Sequence, residues 1–174
     1  MSVKQLIFVS TWFQILWFVA VLGRESWQWL ALLLVTTTWV ASYVAARFNL
    51  YRSGLILVIG VVVDYLNMSL GLFSFSSSFI PLWLIALWGI FAWYAFYLYP
   101  IVSRFPLWSV SMVGGVAGAL SYLAGAKLGA VSFGLSTLPM LATLFVQWVA
   151  VIYLIVKVLG YESRFRDGGV SGIN

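Results

Sequence analysis

Leu55-Ile-Leu-Val-Ile-Gly-Val-Val-Val-Asp64-Tyr-Leu-Asn67 carries a single charge in an otherwise apolar run, and the nearest other charges along the chain are Arg52 and Arg104. The run lacks the two-residue alternation of a barrel strand. Lipid offers the backbone no hydrogen-bonding partner, so a segment of this composition crosses a membrane as a helix. A carboxylate at the centre of such a helix costs about 2.5 to 3.5 kcal/mol on insertion scales and is kept where a partner, a cavity or a function exists. Asp64 must therefore face other helices.

Working outward, the whole chain has this character. Of 174 residues, 64% are hydrophobic and 7% charged, against about 25% charged in an ordinary soluble domain. Six apolar runs, each near the roughly 20 residues that cross a hydrocarbon core, extend over Gln5–Leu22, Trp27–Ala46, Ser53–Phe73, Ile80–Tyr99, Leu107–Ala126 and Thr137–Leu159. The expected fold is all-α, a polytopic six-helix transmembrane bundle. Residues 1–159 form one six-span domain and 160–174 a flexible cytoplasmic tail.

Seven of the nine basic residues, Lys4, Arg47, Arg52, Arg104, Lys157, Arg164 and Arg166, fall on one side of six such spans, leaving Arg24 and Lys127 opposite. The positive-inside rule then places both termini in the cytoplasm. Arg164 and Arg166 are expected against anionic lipids of that leaflet. The scatter of basic residues among loop ends, with no basic stripe, argues against nucleic acid as a partner. Cysteine and histidine are absent. This excludes thiolate or imidazole metal sites and Ser-His-Asp or Cys-His catalysis, and no metal or other cofactor is expected.

The three hairpin tips on the outer side resemble one another: Leu22-Gly23-Arg-Glu-Ser26-Trp27, Leu70-Gly71-Leu-Phe-Ser74-Phe75 and Leu128-Gly129-Ala-Val-Ser132-Phe133. The last two match at a constant offset of 58 residues that also relates Ser78 to Ser136 and Pro81 to Pro139. Three hairpins about an axis along the membrane normal would produce this pattern. Ordinary turn punctuation by Gly, Ser and Pro gives the same residues, so both readings stand.

Ser53, Gly60, Asp64, Asn67 and Gly71 share one helical face, and Gly114, Gly118, Ser121, Gly125 and Gly129 share another. Gly114, Gly118 and Gly125 are expected to serve close helix packing. Candidate ligand-binding residues are Asp64, Asn67, Lys127, Gln14, Gln147 and Trp88. Lys127 either pairs with Asp64 at the floor of an outward cavity or snorkels to the surface. Asp64 is either a ligand-path residue or a structural carboxyl bonded to Tyr, Trp or Ser of a neighbouring helix. Gln14 and Gln147 are polar groups at depth whose default use is interhelical hydrogen bonding. Of ten tryptophans, Trp17, Trp88, Trp93 and Trp148 lie deepest and fit either a flat or isoprenoid-like ligand or plain packing.

Gln14-Ile-Leu-Trp-Phe-Val-Ala-Val-Leu-Gly23, Asp64 with Gly71-Leu-Phe-Ser-Phe75, Pro81-Leu-Trp-Leu-Ile-Ala-Leu-Trp88, and Gly114-Gly115 leading to Ser121-Tyr-Leu-Ala-Gly-Ala-Lys127-Leu-Gly-Ala-Val-Ser-Phe133 resemble a family of small bacterial inner-membrane proteins catalogued as a domain of unknown function, family 2878. The resemblance covers nearly the whole length. It implies a multi-pass protein of the bacterial inner membrane, with no established activity, and tilts a ligand toward lipid.

Three functions compete. The first is binding or transport of a small amphipathic or lipid-like molecule in an outward-facing cavity around Asp64, amid membrane lipids and with a partner membrane subunit as an option. The second is an intramembrane lipid-modifying enzyme with Asp64 as acid or base, for which one carboxylate without histidine or cysteine is a thin toolkit. The third is a non-catalytic accessory subunit whose polar residues serve packing alone.

Overall fold

The computed structural model describes residues 2–46 and 48–168. Arg47 lies outside them, and so do the side chains of Arg164 and Arg166. The elements run α1 (Val3–Ala46), α2 (Leu50–Ser69), β1 (Phe73–Ser74), α3 (Leu82–Val102), α4 (Leu107–Lys127), β2 (Ser132–Phe133) and α5 (Thr137–Gly168). The fold is all-α apart from one two-residue ribbon. Among the described residues, five helices are long and apolar enough to cross a membrane, as a multi-pass membrane protein requires. Large apolar side chains such as Val44, Tyr51, Phe79, Trp108 and Leu138 cover the outside. Such a surface suits lipid and not water.

Six runs yield five helices because the first two merge. Helical geometry in α1 is interrupted only at Arg24, where φ is 45° and ψ −132°. The two arms nevertheless lie side by side: Trp12 Nε1 donates to Thr38 Oγ1 at 3.0 Å across 26 residues, whereas a straight helix would hold them about 39 Å apart. Gly23 is not the left-handed residue of this tip, since the glycines with positive φ are Gly71 and Gly129. The expected likeness of the first tip to the other two therefore fails in the backbone.

For the second and third tips the likeness holds. α2 and α4 end in the same Schellman motif, Gly71 (φ 71°) and Gly129 (φ 75°) being the left-handed residues. Leu72 N–H reaches Asn67 C=O and Gly71 N–H reaches Met68 C=O. In α4, Ala130 N–H reaches Gly125 C=O and Gly129 N–H reaches Ala126 C=O. Each α4 bond is its α2 counterpart moved by 58 residues. α2 consequently stops at Ser69, short of the expected Phe73, and that phenylalanine enters β1.

β1 and β2 pair antiparallel with Phe73 opposite Phe133 and Ser74 opposite Ser132. Ser74 thus meets its own counterpart, placing an approximate two-fold axis between the hairpins α2–β1–α3 and α4–β2–α5. Helix α1 stands outside this pair and packs on α3, burying Val9, Leu16, Ala31 and Val35 against Ala86, Ile90 and Trp93. The arrangement is two hairpins about an axis plus one at the flank, in place of three equivalent ones.

α5 extends to Gly168. After Pro139 in its first turn, no further proline falls within it.

Candidate functional site

Asp64 is 1% exposed. Its stripe mates on α2, Ser53, Gly60 and Asn67, are buried on the same face. Two neutral donors serve the carboxyl group. Trp88 Nε1 of α3 donates to Oδ2 at 2.6 Å, and the Tyr122 hydroxyl of α4 donates to both oxygens at 2.6 Å. Both carboxyl oxygens are thereby engaged by aromatic side chains of neighbouring helices.

Glycines position the aromatic partners. A Cβ on Gly60 would lie 2.0 Å from the Trp88 ring, and one on Gly118 would lie 2.1 Å from the Trp148 ring. Each indole is seated in a notch that only glycine leaves open. The two rings stack on each other, centroids 5.3 Å apart and 8° from parallel. Since Gly60 and Gly118 lie one turn before Asp64 and Tyr122, the stack forms a floor on the side away from the tips. On the tip side, Phe73 stacks on Tyr122 at 5.0 Å.

Next to Tyr122, toward the tips, lies a cavity of about 30 Å³ bordered by Trp17, Val21, Phe75, Trp83, Tyr122 and Val131. That volume takes about two water molecules. Trp17 Nε1 donates to Ser121 Oγ at its edge, 3.0 Å away. Trp83 Nε1 is buried and finds no hydrogen-bond partner among the described residues, as do the hydroxyls of Ser53 and Ser111, another pair separated by 58 positions.

The first tip fastens the other two. Arg24 Nη1 donates to Gly129 C=O at 2.9 Å and Nη2 to Leu128 C=O at 3.5 Å, placing a cation at the C-terminal end of α4 where the helix dipole favours one. Glu25 accepts from Ser76 Oγ at 2.5 Å. Neighbouring residues of one tip thus hold both hairpin ends.

Four of the expected site residues come together. Asp64 and Trp88 bond directly, and Asn67 exchanges two hydrogen bonds with Gln147, Nδ2 to Oε1 at 2.8 Å and Nε2 to Oδ1 at 3.0 Å. The other two stand apart. Lys127 is exposed at the end of α4, which corrects the option of a Lys127 partner for Asp64: Tyr122, five residues earlier, occupies that place. Gln14 is exposed on the first arm of α1. Gly114 and Gly118 do serve close packing, since a Cβ on Gly114 would come 2.6 Å from Ile152, whereas Gly125 would make only ordinary contact, at 3.8 Å with Val131. Gly115 belongs with the packing glycines too, 2.6 Å from Val149 by the same measure. No group of three or more His, Cys, Asp or Glu side chains suited to a metal occurs among the described residues.

Tyr122 is the member of this polar centre that residue-type reasoning passed over. The 58-residue offset pointed to it, because that offset carries Asp64 onto Tyr122. Residues 6–154 match the family model described as "Protein of unknown function (DUF2878)". The chain belongs to that family. Nearly all of the DUF2878 match lies within the bundle, and it includes Asp64, Trp88, Tyr122 and Trp148. No curated protein and no solved structure matches the chain.

Proposed function

We propose that this protein binds or transports a small amphipathic or lipid-like molecule, that its site is the polar centre around Asp64, and that the closed form is the one described above. One observation carries the reading. A fully buried acid is bonded, among the described residues, by neutral groups alone, with an aromatic floor on one side and, beyond Tyr122, a small cavity on the other. A buried acid kept only for packing has no need of an adjoining cavity, whereas intramembrane acids commonly line ligand or ion paths. The internal two-fold relation of the hairpins supports it further, since repeats of this kind let a transporter rock one half against the other about a central site.

In this reading each arm of α1 crosses the membrane, so the chain crosses six times, with both termini in the cytoplasm and the tips facing outward. Charge placement supports that orientation, and the bacterial inner membrane is the membrane proposed. The cavity then opens outward once the tips part. Parting requires release of the Arg24 and Glu25 bonds, while the Trp88–Trp148 stack keeps the inner side shut.

Binding tests the proposal. Purified protein in lipid nanodiscs, titrated with a panel of alkyl alcohols, amines and fatty acids and followed by tryptophan fluorescence, should show saturable binding to at least one class. Asp64→Ala should weaken that binding by tenfold or more, about 1.4 kcal/mol. If no compound binds the native chain more tightly than the variant, the centre is structural and the proposal is wrong.

A further inference from the structure

Resting on that reading, we infer that the group recognised by Asp64 is an organic cation, a protonated or methylated amine carried on a short apolar tail. The centre contains a buried acid, and among the described residues no basic side chain bonds to it. Asp64 receives its hydrogen bonds from an indole and a phenol. The basic side chains near either end are committed elsewhere: Arg24 to the carbonyls of Leu128 and Gly129, Arg52 to the carbonyl of Leu159 at 2.7 Å, and Lys127 to the exposed surface. Away from water the attraction between opposite charges is strengthened several-fold, so a ligand cation gains more here than any neutral donor.

The surroundings favour the same chemistry. Phe73 stacks on Tyr122, and Trp88 on Trp148, so moving Tyr122 aside uncovers the ring face of Phe73. The negative face of an aromatic ring attracts ammonium groups, most strongly when they are desolvated. An alcohol would merely exchange one neutral donor for another, and an anion would be repelled. The tail has an apolar wall to follow, since Trp17, Val21, Trp83 and Leu87 border the cavity.

Entry has one route at the carboxylate itself. Trp88 is wedged between Gly60 and Trp148, whereas Tyr122 borders the cavity and its hydroxyl bonds both carboxylate oxygens. The incoming ammonium therefore displaces Tyr122 and takes over its bonds to Asp64. Tyr122 is a competitor of the ligand, and removing its hydroxyl should tighten amine binding.

The experiment compares three probes of equal chain length, butylammonium, 1-butanol and butyrate, on the full chain in zwitterionic nanodiscs by tryptophan fluorescence. Butylammonium should bind about tenfold more tightly than butanol, with butyrate weakest. Asp64→Asn should erase the preference, and Tyr122→Phe should strengthen amine binding several-fold. If butanol or butyrate binds as well as the amine with the same dependence on Asp64, the cation inference falls and the binding reading survives. If none of the three separates the native chain from Asp64→Asn, both fall. Should Asp64→Asn not fold, the ranking of probes on the native chain and the direction of the Tyr122→Phe change decide the matter, and unchanged amine affinity in Tyr122→Phe overturns the inference.

Discussion

Tyr122 occupies in the hairpin α4–β2–α5 the position that Asp64 occupies in α2–β1–α3, and the two counterparts are hydrogen-bonded to each other, 2.6 Å from the phenol oxygen to either carboxylate oxygen. A contact between counterparts lies on the axis that relates them. Ser74 opposite Ser132 marks a second point on that axis, at the tips. The line through both points runs along the helices, so the polar centre sits where the halves of the molecule meet. Identical residues there would place two carboxylates face to face. A tyrosine in one half resolves this by donating to the aspartate of the other.

That bond should be energetically coupled. Tyr122→Phe is expected to cost about 1.5 to 3 kcal/mol, as for hydrogen bonds to charged groups. Asp64→Asn and Tyr122→Phe combined should cost less than the sum of the singles. Reversible unfolding in mixed micelles gives the double-mutant cycle, and strict additivity would mean the bond contributes nothing.

The glycine notches make a sharper stability prediction. Gly60→Ala and Gly118→Ala each push a methyl into an indole at 2.0 and 2.1 Å, which should destabilise by about 1 to 3 kcal/mol through overpacking. Gly54→Ala has nothing within 4 Å and serves as the control. It should leave the thermal midpoint unchanged or raised, since alanine is the better helix former.

Asn67 and Gln147 satisfy each other. Asn67→Leu alone strands the Gln147 amide and should be more destabilising than the double variant Asn67→Leu with Gln147→Leu, because losing one partner costs more than losing both. Thermal unfolding of the three variants checks the order. A double variant worse than Asn67→Leu would contradict it.

At the first tip, Arg24 combines a left-handed backbone with bonds to α4. Arg24→Ala keeps the strained backbone and loses the bonds, whereas Arg24→Gly loses the bonds but relieves the backbone. Hydrogen exchange over residues 128–134 should therefore speed up in both, and more in Arg24→Ala. Equal protection in native and variant proteins would show that the tip is held by other means.

Six crossings can be tested directly, because the chain contains no cysteine. A membrane-impermeant thiol reagent added to intact cells stripped of the outer membrane should label Ser76→Cys and Ser136→Cys, and should reach Ser103→Cys only after the inner membrane is opened. Labelling of Ser103→Cys from outside would reverse or break the proposed orientation.

Amino-acid order alone determined that this chain dissolves in lipid as helices, where most of them begin and end, and that Asp64, Asn67, Gln147 and Trp88 lie at depth, because composition, run length and charge placement act locally along the chain. Even the correspondence of the second and third hairpins was visible as a fixed offset. Tertiary structure alone decided which groups meet. It paired Asp64 with Tyr122 and not Lys127, since a lysine near a helix end extends to the surface more cheaply than it desolvates. It folded α1 back at Arg24 and set that hairpin at the flank, where its tip bonds to both others. Partners such as these come from helices distant in sequence, and their meeting depends on notches, crossing geometry and symmetry that no single segment encodes.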